Sequence, residues 1–399
     1  MSSFLSTVAL SSTSWQPEDW DKVGYNLTTF KKKRIELFSL QRPHMRAFHL
    51  AWFAFFGCFI VWFAIPPLMG TIRKPRCLPA DNKICIECLQ RPEPLGRRAE
   101  GGGSVWAKDA DCKKCFPNDT RLGAGCGGLG LTKDQILVSN IVSVSGTMIM
   151  RILIGPFGDT YGTRRTYAAL LVIMSVPGFL AAAMDSFGVL VLLRVLISFA
   201  GGSFVLTSLW TTAMFDSNCV GTANATTAGW GNLGGGVALE VMPLIFKGFV
   251  DSGYSTEKAW RTTLALPPVL LVVSGVLILF FSDDCPLGDI RHLHAHKAAE
   301  REKEKQLALA GGETVAEGKA VSMLGSMYIA AQNWRTWIAA LCYAFSFGAE
   351  LTVNNNMPAY FQKGFSLNQH NAVCMHACVF VYVGLCVCVC VCVCMHVCM

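Results

Sequence analysis

Arg151 lies inside a long apolar segment, where an unpaired charge costs on the order of several kcal/mol in a lipid bilayer. On a helix, four small or polar residues share its face: Ser139, Ser143, Gly146 and Thr147. This stripe predicts that Arg151 faces a cavity rather than lipid. A planar guanidinium in that place can grip two oxygens of a planar anion, so Arg151 is our first candidate ligand contact. The alternative is a structural ion pair within a helix bundle.

Three further ionisable residues lie in apolar segments: Arg194, Glu240 and Glu350. For Arg194 we favour a side chain that reaches toward the bilayer surface, or an internal pair. A carboxyl group buried in apolar surroundings favours its protonated form, so Glu240 and Glu350 are candidates to carry a coupling proton. For Glu240 we favour a local ion pair or an interface position, and for Glu350 the two interpretations stay equally open.

The elements that position these residues are apolar helices. Of the 399 residues, 52% are hydrophobic and only 15% are charged, with a mean hydropathy of +0.40. Soluble domains carry about a quarter charged residues, so the composition excludes a disordered chain, a nucleic-acid-binding domain and an ordinary cytosolic enzyme. A bilayer core needs about 20 apolar residues in a helix. Seven segments qualify: 47–69, 136–157, 166–184, 187–215, 222–245, 264–281 and 337–357.

Basic residues at 31–34, followed by Arg42 and Arg46, precede the first segment and predict a cytoplasmic amino-terminal segment, residues 1–46. Residues 47–282 then form a six-span bundle, and 283–334 a charged cytoplasmic linker. Residues 335–372 form the seventh span and the start of a second bundle. Two bundles joined by a charged linker are typical of a two-halved transporter.

The predicted external loop, residues 70–135, is rich in cysteine. Its spacing contains two C-x-x-C pairs, which could bind zinc. The oxidising compartment and the even number of cysteines favour disulfides instead, so we predict no metal and no cofactor. The six cysteines are Cys77, Cys85, Cys88, Cys112, Cys115 and Cys126.

The tail at 373–399 alternates Val, Met and Ala with Cys, His and Tyr. Codons of the first set can be purine–pyrimidine–purine, and codons of the second pyrimidine–purine–pyrimidine. Translation of a GT-type dinucleotide repeat gives this alternation, which is our interpretation of the tail. The alternative is a genuine Cys-rich metal or redox tail.

A sequence motif follows the second span: residues 155–165 fit G-x-x-x-D-x-x-G-x-R-R. Gly155 and Gly162 allow a close helix approach and a tight turn, and Asp159 can pair with basic groups or cap a helix end. With Arg164 and Arg165, these residues form a predicted conformational latch. The alternative is a plain basic loop that only orients the chain. The motif and its position resemble those of the major facilitator superfamily.

The fifth span contains A-G-W-G-N-L-G-G-G at residues 228–236. Gly231 and Gly235 have the spacing of a close packing face. The run also resembles the signature of the nitrate/nitrite porters of that superfamily, and segments 46–69 and 333–361 resemble their first and seventh spans. The resemblance covers residues 40–370 apart from the external loop. It implies that Arg151 binds nitrate, and that Asn232, Gly231, Gly234 and Gly235 shape the site.

The fold class expected is therefore all-α: a polytopic membrane protein with a major-facilitator-type bundle, its amino-terminal half plus part of the second. The resemblance implies proton-coupled uptake of nitrate, or nitrite, by alternating access in the plasma membrane. Its partners would be nitrate, protons, lipid and an accessory membrane protein, with no nucleic acid and no enzymatic activity. The alternatives are a facilitator for another small solute and a non-transporting regulatory or sensing fragment. The superfamily has twelve spans, so we expect that these 399 residues do not transport alone.

Overall fold

The computed structural model describes residues 24–26, 29–76, 126–293, 295, 298, 299, 302 and 323–366. Within these ranges the regular structure is helical, and strand pairing is limited to isolated bridges. Six helices are long and apolar enough to cross a membrane, one for each of the first six predicted segments. The predicted all-α polytopic membrane fold is confirmed. The tail and most of the predicted external loop and linker lie outside the described residues.

The six spans differ in regularity. The first, third, fourth and sixth contain a break or a short 3₁₀ turn, whereas the second and fifth are continuous helices that include a proline. A seventh helix, Trp334–Gly364, covers the last predicted segment. The spans are His44–Ile72, Lys133–Tyr161, Thr163–Ala183, Phe187–Met214, Val220–Asp251 and Thr256–Phe281. Within them the helices are His44–Phe63, Pro66–Leu68, Met69–Ile72, Lys133–Tyr161, Thr163–Leu180, Ala181–Ala183, Phe187–Ser198, Phe199–Gly202, Ser203–Met214, Val220–Asp251, Thr256–Ala265 and Pro267–Phe281, and Met323–Gln332 precedes the seventh helix.

The first span is the centre of the bundle, and it packs against the fourth, fifth and sixth spans. Three of its aromatic side chains, Phe48, Phe55 and Phe59, are almost completely buried, and the rings of Phe55 and Phe59 contact each other edge to face. Trp62, at the far end of this span, donates its indole N–H to the carbonyl oxygen of Ser143 in the second span, at 2.9 Å. This bond satisfies a buried polar group and fixes the second span beside the first.

Small residues bring the second and fourth spans together. A Cβ on Gly146 would lie 2.3 Å from Ser198 Oγ, and one on Gly201 would lie 2.5 Å from Thr147 Cγ2. Thr147 donates to the carbonyl oxygen of Ser198 at 2.6 Å, across the same contact. The fourth span changes to a 3₁₀ turn over Phe199–Gly202, next to this contact.

The residues before the first span form a strap, residues 29–43, which packs under the connection between the fourth and fifth spans. Lys32 N–H donates to the carbonyl oxygen of Met214, and Asp216 N–H donates to that of Lys32, at 3.1 and 2.9 Å. Lys32 is buried, with its Nζ 3.0 Å from Glu36. The side-chain amide of Asn26 donates to Asp216 at 2.7 Å, which holds the pKa of that carboxyl below its usual range. The basic cluster therefore has a packing role that charge counting did not predict.

Candidate functional site

Arg151 lies where the broken fourth span meets the seventh helix. Its Nε donates to the carbonyl oxygen of Gly201 at 3.1 Å, and its Nη1 donates to the hydroxyl of Tyr343. Three aromatic rings surround the guanidinium carbon, with centroids at 4.3 Å for Phe347, 5.2 Å for Phe204 and 5.3 Å for Tyr343. The rings of Phe204 and Phe347 each stack on Tyr343, with centroids 5.7 Å apart.

The three rings and the Gly201 carbonyl oxygen together hold the Arg151 guanidinium in place. Cation–π attraction at a half-buried site is worth roughly 0.5–2 kcal/mol per ring, and stacking also sets the plane of the guanidinium. A guanidinium that keeps its full charge can attract an anion, and its N–H donors lie in its own plane. The aromatic residues were not among the predicted site residues, although Tyr343 and Phe347 precede Glu350 on the same helix by seven and three residues.

The rest of the predicted polar stripe does not line an open space. Ser139, Ser143, Gly146 and Thr147 are all buried. Gly146 and Thr147 contact the fourth span, and the Ser143 hydroxyl donates back to the carbonyl oxygen of Asn140 at 2.7 Å. The prediction that these four positions line a cavity was wrong. A stripe of small and polar residues can pack against another helix as well as it can face solvent.

Arg194 is buried beside the second span, with 3% of its side chain exposed. Its Nη1 donates to Ser139 Oγ at 2.8 Å and to Asn140 Oδ1 at 2.6 Å. Both acceptors are neutral, and Arg194 forms no ion pair within the described part of the chain. In place of an ion pair, Arg194 thus makes two hydrogen bonds to neutral acceptors within the bundle, and its side chain does not reach the bilayer surface.

The glycine run of the fifth span contacts the first span. A Cβ on Gly231 would lie 1.8 Å from the ring of Phe55, and one on Gly234 would lie 2.2 Å from the carbonyl oxygen of Phe56. Gly235 is also buried against first-span aromatic rings. All three glycines pack closely against the first span, and their part in shaping the anion site stays a prediction. Asn232, between them, is half-buried and makes no hydrogen bond among the described residues, so it keeps its place as a candidate.

The two candidate coupling carboxylates lie in different parts of the bundle. Glu240 is half-buried in the fifth span, beyond the glycine run. Glu350 belongs to the seventh helix, two turns beyond Tyr343, and its side chain lies outside the described residues.

The two arginines of the predicted latch contact the loop that follows the sixth span. The backbone N–H of Arg164 donates to Asp284 Oδ1 at 2.8 Å, and its guanidinium donates to the carbonyl oxygen of Ser282 at 3.1 Å. Arg165 pairs with Asp289 at 2.9 Å. Asp159, the predicted acidic partner, is instead exposed and forms no ion pair among the described residues. Sequence spacing could not identify the true partners, which follow the motif by more than a hundred residues.

The two carboxylates that contact the predicted latch, Asp284 and Asp289, differ in how their surroundings shift their pKa values. Burial raises the pKa of Asp284, although hydrogen bonds and charge from Arg164 act against this. A backbone hydrogen bond from Arg291, and then the charges of Arg165 and Arg164, hold the pKa of Asp289 below the usual range. The pKa of Asp284 is therefore raised and that of Asp289 lowered, although both carboxylates lie near Arg164, at 3.7 and 3.9 Å.

The two latch glycines should respond differently to alanine. Gly162 has a φ of +92° and its Cβ would lie 2.6 Å from Asp284 Oδ1, whereas a Cβ on Gly155 would meet only Val205 at 3.6 Å. We expect Gly162→Ala to lower the free energy of unfolding by about 1–3 kcal/mol. The matched control, Gly155→Ala, should change it by less than about 1 kcal/mol. Thermal unfolding of both purified variants in detergent measures this, and equal losses would contradict the latch geometry.

Cysteine chemistry is partly described. Cys126, the last cysteine of the predicted external loop, is disulfide-bonded and buried, which favours the disulfide interpretation over zinc at this position. The other five loop cysteines lie outside the described residues. The described free cysteines are Cys58, Cys219, Cys285 and Cys342.

Comparison with known proteins agrees with the helical membrane fold described above. The sequence pattern of the Major Facilitator Superfamily matches residues 47–395. The high affinity nitrate transporter 2.5 of Arabidopsis thaliana is 32% identical over 342 residues, covering 86% of this chain and 54% of the relative. Nitrate transporter 2.2 of Chlamydomonas reinhardtii is 30% identical, covering 85% of this chain and 52% of the relative.

A bacterial relative gives a weaker match over a shorter stretch. The nitrate/nitrite transporter NrtP of a Picosynechococcus strain is 27% identical over 263 residues, covering 61% of this chain and 39% of the relative. The chain spans about half the length of the plant and algal relatives it matches. The matched pattern covers most of the chain, and the bundle has the expected long apolar helices. The chain therefore belongs to the major facilitator superfamily.

Proposed function

We propose that the protein transports nitrate, or nitrite, across a membrane, with Arg151 as the residue that binds the anion. The observation that carries this proposal is the Arg151 guanidinium, held inside a membrane span by the Gly201 carbonyl oxygen and by three aromatic rings. Nitrate is planar and its charge is spread over three oxygens, which suits a planar donor fork. The nitrate transporters among its relatives support the choice of anion.

The seventh helix gives this site a way to couple binding to movement. Tyr343 and Phe347 reach Arg151 from the seventh helix, whereas Gly201 and Phe204 reach it from the fourth span. In alternating access two bundles rock against each other around a central site. The contacts of Arg151 with the seventh helix would then form and break in each cycle, and bound anion would favour the state in which its contacts are best.

The remaining assignments complete this proposal. The amino-terminal segment lies in the cytoplasm and the protein lies in the plasma membrane, in line with the basic residues before the first span. A proton accompanies the anion and offsets its charge, with Glu350 or Glu240 as its carrier, and Asn232 contributes to the anion site. An accessory membrane protein is a further proposed partner.

The predicted latch also has a place in this cycle. It stabilises one state of the cycle through its contacts with Asp284 and Asp289. Its residues are Gly155, Asp159, Gly162, Arg164 and Arg165.

Direct binding tests the proposal without requiring transport. The full 399-residue chain, reconstituted in lipid nanodiscs, is titrated with nitrate by isothermal calorimetry, and then with nitrite, sulfate and glucose. We expect saturable binding of nitrate, competition by nitrite, and no competition by sulfate or glucose. A folded chain that binds glucose, or that binds no nitrate, would contradict the proposal and favour another small solute.

A further inference from the structure

The second and fourth spans hold a second arginine that the proposed site does not use. Arg194 is buried, and only its Nη1 makes hydrogen bonds among the described residues, to Ser139 Oγ and Asn140 Oδ1. Its remaining N–H groups make no hydrogen bond in the described part of the chain. The side-chain oxygen of Asn140 accepts from Arg194, and the NH₂ group of the same amide is a further donor.

A buried cation of this kind calls for a negative charge. Removing a guanidinium from water carries a large desolvation cost, which neutral hydrogen bonds reduce and an opposite charge offsets more fully. No carboxylate pairs with Arg194 in the described part of the chain. By contrast Arg261, near the same end of the bundle, pairs with Glu257 at 2.9 Å and with backbone carbonyl oxygens of the third span.

The position of Arg194 relates it to Arg151. Both arginines lie on the contact between the second and fourth spans, because each donates across it, Arg151 to Gly201 and Arg194 to Asn140. Along the second span, positions 140 and 151 are separated by about 16 Å at the rise of an α-helix. With the orientation given under Proposed function, Arg194 lies toward the outer surface and Arg151 lies deeper in the bilayer.

We propose that Arg194 and Asn140 form a second binding position for a small monovalent oxoanion such as nitrate, which an incoming anion occupies before it reaches Arg151. This inference rests on the proposed function for the identity of the anion and the direction of its movement. The position offers a charged donor fork and an amide donor, the same chemistry as the deeper site but without aromatic rings. An anion that binds first near the surface and then deeper in the bilayer would lose its bound water in two steps rather than in one.

An aspartate at position 140 gives the most informative test. Asn140→Asp places a carboxylate at the atom that now lies 2.6 Å from the guanidinium, so a fixed negative charge replaces the anion. In the calorimetric titration we expect the wild-type chain to bind two nitrate ions and Asn140→Asp to bind one, with a higher melting temperature. A purely structural role for Arg194 predicts the same stabilisation with no loss of a bound ion.

Further variants separate this inference from the proposed function. Arg194→Gln should also remove one bound nitrate, Arg151→Gln should remove the other, and the paired control Arg261→Gln should keep both. A single site that depends on Arg151 alone would overturn the inference and leave the proposed function standing. A single site that depends on Arg194 alone would remove Arg151 from anion binding, and would overturn both that part of the proposed function and the two-step order inferred here. Two sites retained in both Asn140→Asp and Arg194→Gln would also overturn the inference.

Discussion

Replacing Arg151 with glutamine is expected to weaken nitrate binding at the deeper site by about a hundredfold or more. Each charge-assisted hydrogen bond contributes on the order of 1.5–3 kcal/mol, and a bidentate pair loses two of them, while 1.4 kcal/mol is a factor of ten. Glutamine keeps a donor but removes the charge that Phe347, Phe204 and Tyr343 surround. The measurement is the dissociation constant for nitrate of the reconstituted chain.

The Arg151→Lys variant tests the contribution of the planar guanidinium separately from that of its positive charge. Lysine keeps the positive charge but has neither the planar fork nor the flat surface that stacks on the three rings, so we expect binding about tenfold weaker than in the wild type. Arg261→Gln, which removes an arginine paired with Glu257, should leave this constant unchanged. Equal affinities of the lysine variant and the wild type would show that planar recognition is not used. Equal affinities of the glutamine variant and the wild type would remove Arg151 from the site.

The second large effect concerns the glycine run. Gly234→Ala should lower the free energy of unfolding by about 2–3 kcal/mol or more, because the new Cβ would lie 2.2 Å from the carbonyl oxygen of Phe56. A backbone atom cannot turn away as a side chain can, so the first and fifth spans must separate. That separation would also move Phe55 and Phe59, which fill the centre of the bundle.

Gly248 provides the matched control for this prediction. It lies in the same span, and a Cβ there meets no atom within 4 Å. Gly248→Ala should therefore change stability by at most about 1 kcal/mol, in the stabilising direction, because alanine favours a helix. Thermal unfolding in detergent compares the two variants. Similar melting temperatures for Gly234→Ala and Gly248→Ala would show that the close approach of the two spans is not required.

The membrane spans could be predicted from the sequence because each depends on local composition alone. A run of about 20 apolar residues excludes most other structures, and the observed helices extend the predicted segments by only a few residues at most ends. Arg151 could be singled out for the same reason, since one charge in such a run requires an explanation. Its surroundings could not, because Gly201 and Tyr343 are 50 and 192 residues away along the chain.

The wrong predictions share one physical cause. Ser139 and Thr147 were assigned to a cavity wall because they are small and polar within a span, but the same properties suit close helix contact. Which of the two roles applies depends on which helix lies opposite, and that is a property of the whole bundle. Asp284 illustrates the same limit for the latch, since no motif marks it and only the fold brings it to Arg164.

The strap has a consequence for the synthesis of the protein. Asn26 and Asp216, which hold the strap in place, are 190 residues apart in the chain. At about 5–20 residues per second, a ribosome needs roughly 10–40 s to make that interval. During that time Lys32 has none of its later backbone partners, because Met214 and Asp216 do not yet exist. The amino-terminal segment is therefore open to the insertion machinery and to chaperones while the first spans enter the bilayer, and its docking marks the arrival of the fourth and fifth.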